Sequence, residues 1–118
     1  MNTKHLPIYK SGYELVVLIT DKVRHFSRDF RPTLGRRMQE EAMNVVMRVY
    51  RANVAEDKVA HITLILESAA MLEMQLQLAF DLRLISPSAY ARAIEITGGI
   101  QKQAGGWRKY AHRTNMQR

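Results

Sequence analysis

Arg24-His25-Phe26-Ser27-Arg28-Asp29-Phe30-Arg31-Pro32-Thr33-Leu34-Gly35-Arg36-Arg37 decides how this chain folds, because it ends one helical pattern and opens another around Pro32. Five arginines and one acid surround the break. Helix starts carry unpaired N–H groups and the positive end of the helix dipole, so arginines gathered there suit an anionic partner while weakening the helix itself.

Working outward, apolar residues recur at helical spacing almost everywhere, and three prolines divide the pattern into four segments. The first is expected over about 8–26, with Pro7 as first helical residue and Ile8, Leu15, Ile19 and Phe26 on one stripe. The second, about 34–55, takes Thr33 as its N-cap and buries Leu34, Met38, Ala42, Val45, Val49 and Ala52. The third, about 58–84, starts after Asp57 and buries Val59, Ile62, Leu66, Ala69, Leu72, Leu76 and Ala79. Leu64, Met71, Leu78 and Leu82 fall on another face, so this helix is central in a bundle or shared with a second subunit. The fourth, about 87–113, has Ser86 as cap and Pro87 at its first position, and turns Tyr90, Ala93, Ile96, Ile100, Ala104, Trp107 and Ala111 inward. Residues 114–118 are expected to fray. Long helices with short connections predict an all-α, up-down-up-down antiparallel four-helix bundle occupying the whole chain as one domain.

A chain of 118 residues suffices for one such domain. With no cysteine there is no disulfide framework or thiolate chemistry, which fits a reducing cytoplasm. The N-terminus lacks an apolar leader, and Leu15 to Ile19 is far short of the roughly 20 residues of a membrane span, so a soluble, unprocessed protein is expected.

Eighteen cations against eleven acids give a net charge of +7, which favours nucleic acid or an acidic protein as partner. The charge is segregated: ten cations and five acids lie in residues 1–51, three and six in 52–95, and five and none in 96–118. On the fourth helix Gly98, Lys102, Gly105, Gly106, Lys109 and Arg113 cluster opposite Ile96, Ile100, Trp107 and Ala111. Glycines between cations either admit a phosphate backbone or another helix closely, or they loosen the helix; both readings stand at this point. Arg36 and Arg37 precede Glu40 and Glu41 by four residues and so can pair within the helix, whereas Arg48 and Arg51 have no acid at that spacing. The nucleic-acid candidates are Arg31, Arg36, Arg37, Arg48, Arg51, Lys102, Arg108, Lys109 and Arg113.

Catalysis and metal binding find little support, so no enzyme, cofactor or metal site is expected. No glutamate is followed three residues later by a histidine, as di-iron bundles require. Asp21 with His25 and Asp57 with His61 read better as surface pairs or helix-end contacts than as ligands. Glu67 and Glu73, six residues apart, point in different directions and suit polar contacts between helices.

Tyr9, Tyr13-Glu14-Leu15, Phe30-Arg31-Pro32-Thr33-Leu34-Gly35-Arg36-Arg37-Met38, the Leu66 to Leu84 helix and Gly105-Gly106-Trp107 together resemble the four-helix-bundle family of accessory variability determinants of bacterial diversity-generating retroelements. That superfamily also contains small proteins encoded in intervening sequences of bacterial ribosomal RNA genes. The resemblance implies a basic homopentameric barrel that associates with the element's reverse transcriptase and binds RNA and DNA. Such a protein supports mutagenic reverse transcription and retrohoming without being the polymerase. Only Arg31, Arg36 and Arg37 lie in the matched motif; the other candidate cations come from helix phase and spacing. The alternative reading is a ribosomal-RNA-associated or structural interaction protein of the intervening-sequence type.

Overall fold

The computed structural model describes residues 2–116, and among them the chain is all helical, with no strand. Four long helices, α1 (Pro7–Val23), α2 (Arg36–Val54), α3 (Lys58–Asp81) and α4 (Pro87–Met116), form a rod of 52 × 21 × 20 Å. Each packs on its sequence neighbours and α1 closes the ring against α4, as a four-helix bundle requires. α2 and α4 therefore stand on opposite corners.

Local chemistry sets three of the four helix starts. Pro7 opens α1, where its missing N–H costs nothing. The Asp57 carboxylate accepts from the Val59 N–H at 3.3 Å and caps α3. The Ser86 hydroxyl accepts from the Ala89 N–H at 3.1 Å, with Pro87 as first residue of α4.

The start of α2 departs from expectation. Thr33 is no N-cap: it lies inside a π-helical turn, Arg31–Gly35, that runs directly into α2, and its hydroxyl donates backwards to the Asp29 and Phe30 carbonyls at 3.0 and 3.4 Å. Pro32 has no N–H, and the wider turn is closed by the Gly35 N–H on Phe30 O at 2.9 Å. Gly35 is buried where this turn crosses the end of α1, and a Cβ there would sit 2.6 Å from Val23 Cγ1. No side chain larger than hydrogen fits without movement.

Other boundaries move for similar reasons. α1 ends at Val23 rather than near Phe26, yet a turn bonded from the Phe26 N–H to Val23 O keeps Phe26 buried. α3 ends at Asp81, three residues early, in a Schellman motif: the Leu84 N–H reaches Ala79 O and the Arg83 N–H reaches Phe80 O. Arg83 holds the left-handed position, φ 61°, where glycine is usual. α4 extends to Met116, so Thr114 is helical; residues 117–118 lie outside the described part.

The core follows the expected stripes, except that Leu34, Val59, Leu66, Tyr90 and Trp107 pack half-buried against its edge. Leu15 and Ile19 of α1, Met38, Ala42, Val45, Val49 and Ala52 of α2, Ile62, Ala69, Leu72, Leu76 and Ala79 of α3, and Ala93, Ile96, Ile100, Ala104 and Ala111 of α4 are all buried. Polar contacts then fix the register between neighbours. Arg48 Nε donates to Ser68 Oγ at 2.8 Å across α2 and α3, and Gln101 Nε2 donates to Glu73 at 2.6 Å across α3 and α4. Arg92 bridges Glu14 on α1 and Glu95 on its own helix. Lys58 Nζ caps the end of α2 by donating to the Ala52, Asn53 and Ala55 carbonyls.

Candidate nucleic-acid interface

Interface candidates on α4 stand on its outer face. Lys102, Lys109 and Arg113 are exposed and form no ion pair among the described residues. α4 is continuous from Pro87 to Met116 despite four glycines, so Gly98, Gly99, Gly105 and Gly106 do not break it. A Cβ on any of them would meet nothing within 4 Å. These glycines therefore serve no packing inside the bundle. They leave the helix backbone accessible between the cations, at a propensity cost of about 1 kcal/mol each relative to alanine. Arg108 differs from its neighbours: it is half-buried toward α3, with Nη1 3.4 Å from Thr63 Oγ1.

The candidates on and before α2 divide into engaged and unengaged groups. Arg31 donates from Nε and Nη2 to Phe26 O at 3.4 and 3.3 Å, tying the junction together. Arg36 pairs with Glu40 at 3.2 Å, an exposed i,i+4 contact worth a few tenths of a kcal/mol. Glu41 instead accepts from Asn44 Nδ2 at 3.3 Å, which leaves Arg37 exposed with no ion pair among the described residues. Arg48, grouped with Arg51 by sequence spacing, is set apart by the fold: it is half-buried and bonded to Ser68, while Arg51 is exposed and forms no ion pair among the described residues.

Because α2 and α4 occupy opposite corners, Arg37 and Arg51 cannot share one face of a single chain with Lys102, Lys109 and Arg113. The basic surface is two patches. Around the first, an open groove of about 590 Å³ is floored by Phe30, Pro32, Leu34, Leu78 and Leu82 and edged by Arg36 and Arg37. Arg83, not singled out from sequence, adds an exposed cation at the same end of the bundle. The only signal for it was a helix end without glycine.

An apolar surface accompanies the first patch. Met43, Met47, Tyr50 and Val54 lie along the outside of α2, and Leu64, Met71, Met74, Leu78 and Leu82 along the outside of α3, all of them exposed. α3 is long and apolar enough to cross a membrane by length and composition, yet only 39% of its most apolar window is buried in the bundle. Nine large apolar side chains exposed on two neighbouring helices exceed the scattered exposure of an ordinary monomer surface.

Three of the four acidic candidates make structural contacts. Asp21 is held by Lys22 at 3.3 Å and Arg24 at 3.0 Å, and the Lys22 hydrogen bond, with the nearby Arg24 charge, lowers its carboxyl below the ordinary value of 3.8. Asp57 is the α3 cap, Glu73 is bonded to Gln101, and Glu67 is exposed. No group of three or more His, Asp or Glu able to hold a metal occurs among the described residues. No family model and no curated protein matches the chain.

Proposed function

We propose that this protein is a non-catalytic accessory factor of a diversity-generating retroelement, which binds RNA and DNA through phosphate contacts and associates with the reverse transcriptase during mutagenic copying. The observation that carries this reading is the segregation of unpaired cations. Arg37, Arg51, Lys102, Lys109 and Arg113 are exposed without ion pairs, apart from the core and on two sides of the rod. Each contact alone is weak, and repetition around a symmetric oligomer adds them.

The apolar α2 and α3 rows supply the surface for that oligomer, a barrel-shaped homopentamer by resemblance. Repeating the chain around an axis brings together basic patches that one bundle keeps apart. Arg37, exposed beside the Pro32 junction and without an ion pair among the described residues, remains available to the transcriptase or to template phosphates.

Binding to single- and double-stranded RNA and DNA, measured against salt concentration, tests the proposal. Affinity should fall steeply as salt rises and depend little on sequence. Absence of binding at moderate salt, or affinity indifferent to salt, refutes it. Selective binding to structured ribosomal RNA would favour the intervening-sequence reading, and strong transcriptase capture without nucleic-acid binding would favour a docking protein.

A further inference from the structure

The tip of α4 carries a feature that phosphate binding does not use. A notch of about 100 Å³ opens between α4 and the turn joining α2 to α3, lined by Trp107, Tyr110, Thr114 and Asn115 on one side and by Glu56 and Lys58 on the other. Tyr110 is 63% exposed, although an aromatic ring on a bundle surface gains nothing from water. Trp107 is half-buried and packs against the core from the same wall. The two aromatic residues thus offer ring surface at the rim and in the wall of one recess.

We infer that this notch takes an unpaired nucleobase, from a single-stranded segment whose phosphates run along Lys102, Lys109 and Arg113. The inference rests on the nucleic-acid reading above and adds what kind of strand is held and where.

Three observations converge on it. At 100° per residue, Gly99, Gly106 and Tyr110 follow one line along α4, beside the line of Lys102, Lys109 and Arg113. Both glycines leave open space where a side chain would stand, and Gln103 between them is turned to Ser11 Oγ at 3.4 Å, so a strand lying on the cations approaches the helix most closely at the glycines before the Tyr110 ring. Second, stacking on an aromatic ring needs a base with a free face, which a single strand provides and a duplex does not. Third, the notch holds polar groups suited to a base edge. The Asn115 amide both donates and accepts, and the Glu56 carboxylate accepts from an exocyclic amino group. Neither side chain has a hydrogen-bond partner among the described residues, whereas Thr114 donates to Tyr110 O at 3.0 Å and Lys58 is spent on capping α2. The charges of Glu56 and Lys58 offset each other in the notch, so the net cationic Lys109 and Arg113 outside it are where the backbone of the strand runs, with its base inward.

Trp107 is the sole tryptophan, so its fluorescence reports on the notch directly. The probes are a mixed-sequence single strand, an abasic strand of the same length, and the corresponding duplex. Quenching should accompany binding of the first and be absent with the other two. Tyr110→Ala, at an exposed position, should keep the helical circular dichroism, weaken single-strand binding about tenfold and leave duplex affinity unchanged. Tyr110→Phe should bind as the parent does. Equal quenching by the abasic strand or the duplex overturns the inference, as does unaltered single-strand affinity in Tyr110→Ala. If none of the probes binds at moderate salt, the nucleic-acid reading fails with it; if all bind without base dependence, this inference alone fails.

Discussion

Replacing Gly98, Gly99, Gly105 and Gly106 together by alanine separates what the bundle needs from what its surface does. All four lie inside the continuous α4, and a Cβ at each would meet nothing within 4 Å. The substitution therefore loses no packing within the chain. Each change recovers about 0.5–1 kcal/mol of helix propensity, so roughly 2–4 kcal/mol in total, a large gain against the about 5–15 kcal/mol typical of a domain. With a urea m-value of about 1–3 kcal/mol/M, the midpoint should rise by the order of 1–2 M. Circular dichroism during urea unfolding, at fixed protomer concentration, measures it. Nucleic-acid affinity should fall at the same time, because four added methyl groups stand between Lys102, Lys109 and the backbone they hold. A variant less stable than the parent would show that another chain covers these glycines, contradicting their assignment to an open surface. A more stable variant that binds as well as the parent would refute close approach as their purpose.

Other predictions follow from the junctions and the apolar rows. Gly35→Ala should destabilise by about 1–3 kcal/mol, the ordinary cost of overpacking, because its Cβ would lie 2.6 Å from Val23 and 3.3 Å from Phe26; urea midpoints read this directly. Arg83→Gly should stabilise by roughly 1 kcal/mol by relieving a left-handed residue at the end of α3, again visible in unfolding curves. The proposed pentamer has a mass of about 68 kDa, five chains of 13.6 kDa, and Met71→Lys combined with Leu78→Lys should reduce it to that of one chain, measured by light scattering. Asp21 has a lowered folded pKa, so its contribution is complete above its unfolded value near 3.8 and disappears as pH falls through the folded one. Asp21→Asn should remove that part of the acid dependence of stability, as followed by unfolding at several pH values.

The sequence discloses helices through periodicity and caps, and it does so best where both agree. Asp57 and the Ser86-Pro87 pair mark their helix starts because capping is a contact between near neighbours in the chain. Thr33 misleads for the same reason, since a threonine after a proline looks like a cap whether its hydroxyl oxygen accepts from an N–H ahead or its O–H donates to a carbonyl behind. The π-helical turn is decided by Gly35 against Val23, a contact between helices that no local pattern encodes. The site divides similarly. The α4 cations follow from helix phase alone, but the separation of Arg48 from Arg51 depends on Ser68, twenty residues further along the chain. The notch beside Tyr110 needs Glu56 brought from the α2–α3 turn, which no spacing within α4 discloses.

The measurement that bears most directly on the account is the salt dependence of single-stranded RNA binding, compared between the parent and the Lys102→Ala, Lys109→Ala, Arg113→Ala triple variant. Exposed, ion-pair-free cations that meet phosphates should each remove about 0.7 from the slope of log affinity against log salt, so the variant should lose about 2 in slope as well as affinity. An unchanged slope with unchanged affinity would mean that the α4 stripe is only a solvated face, and would contradict the account.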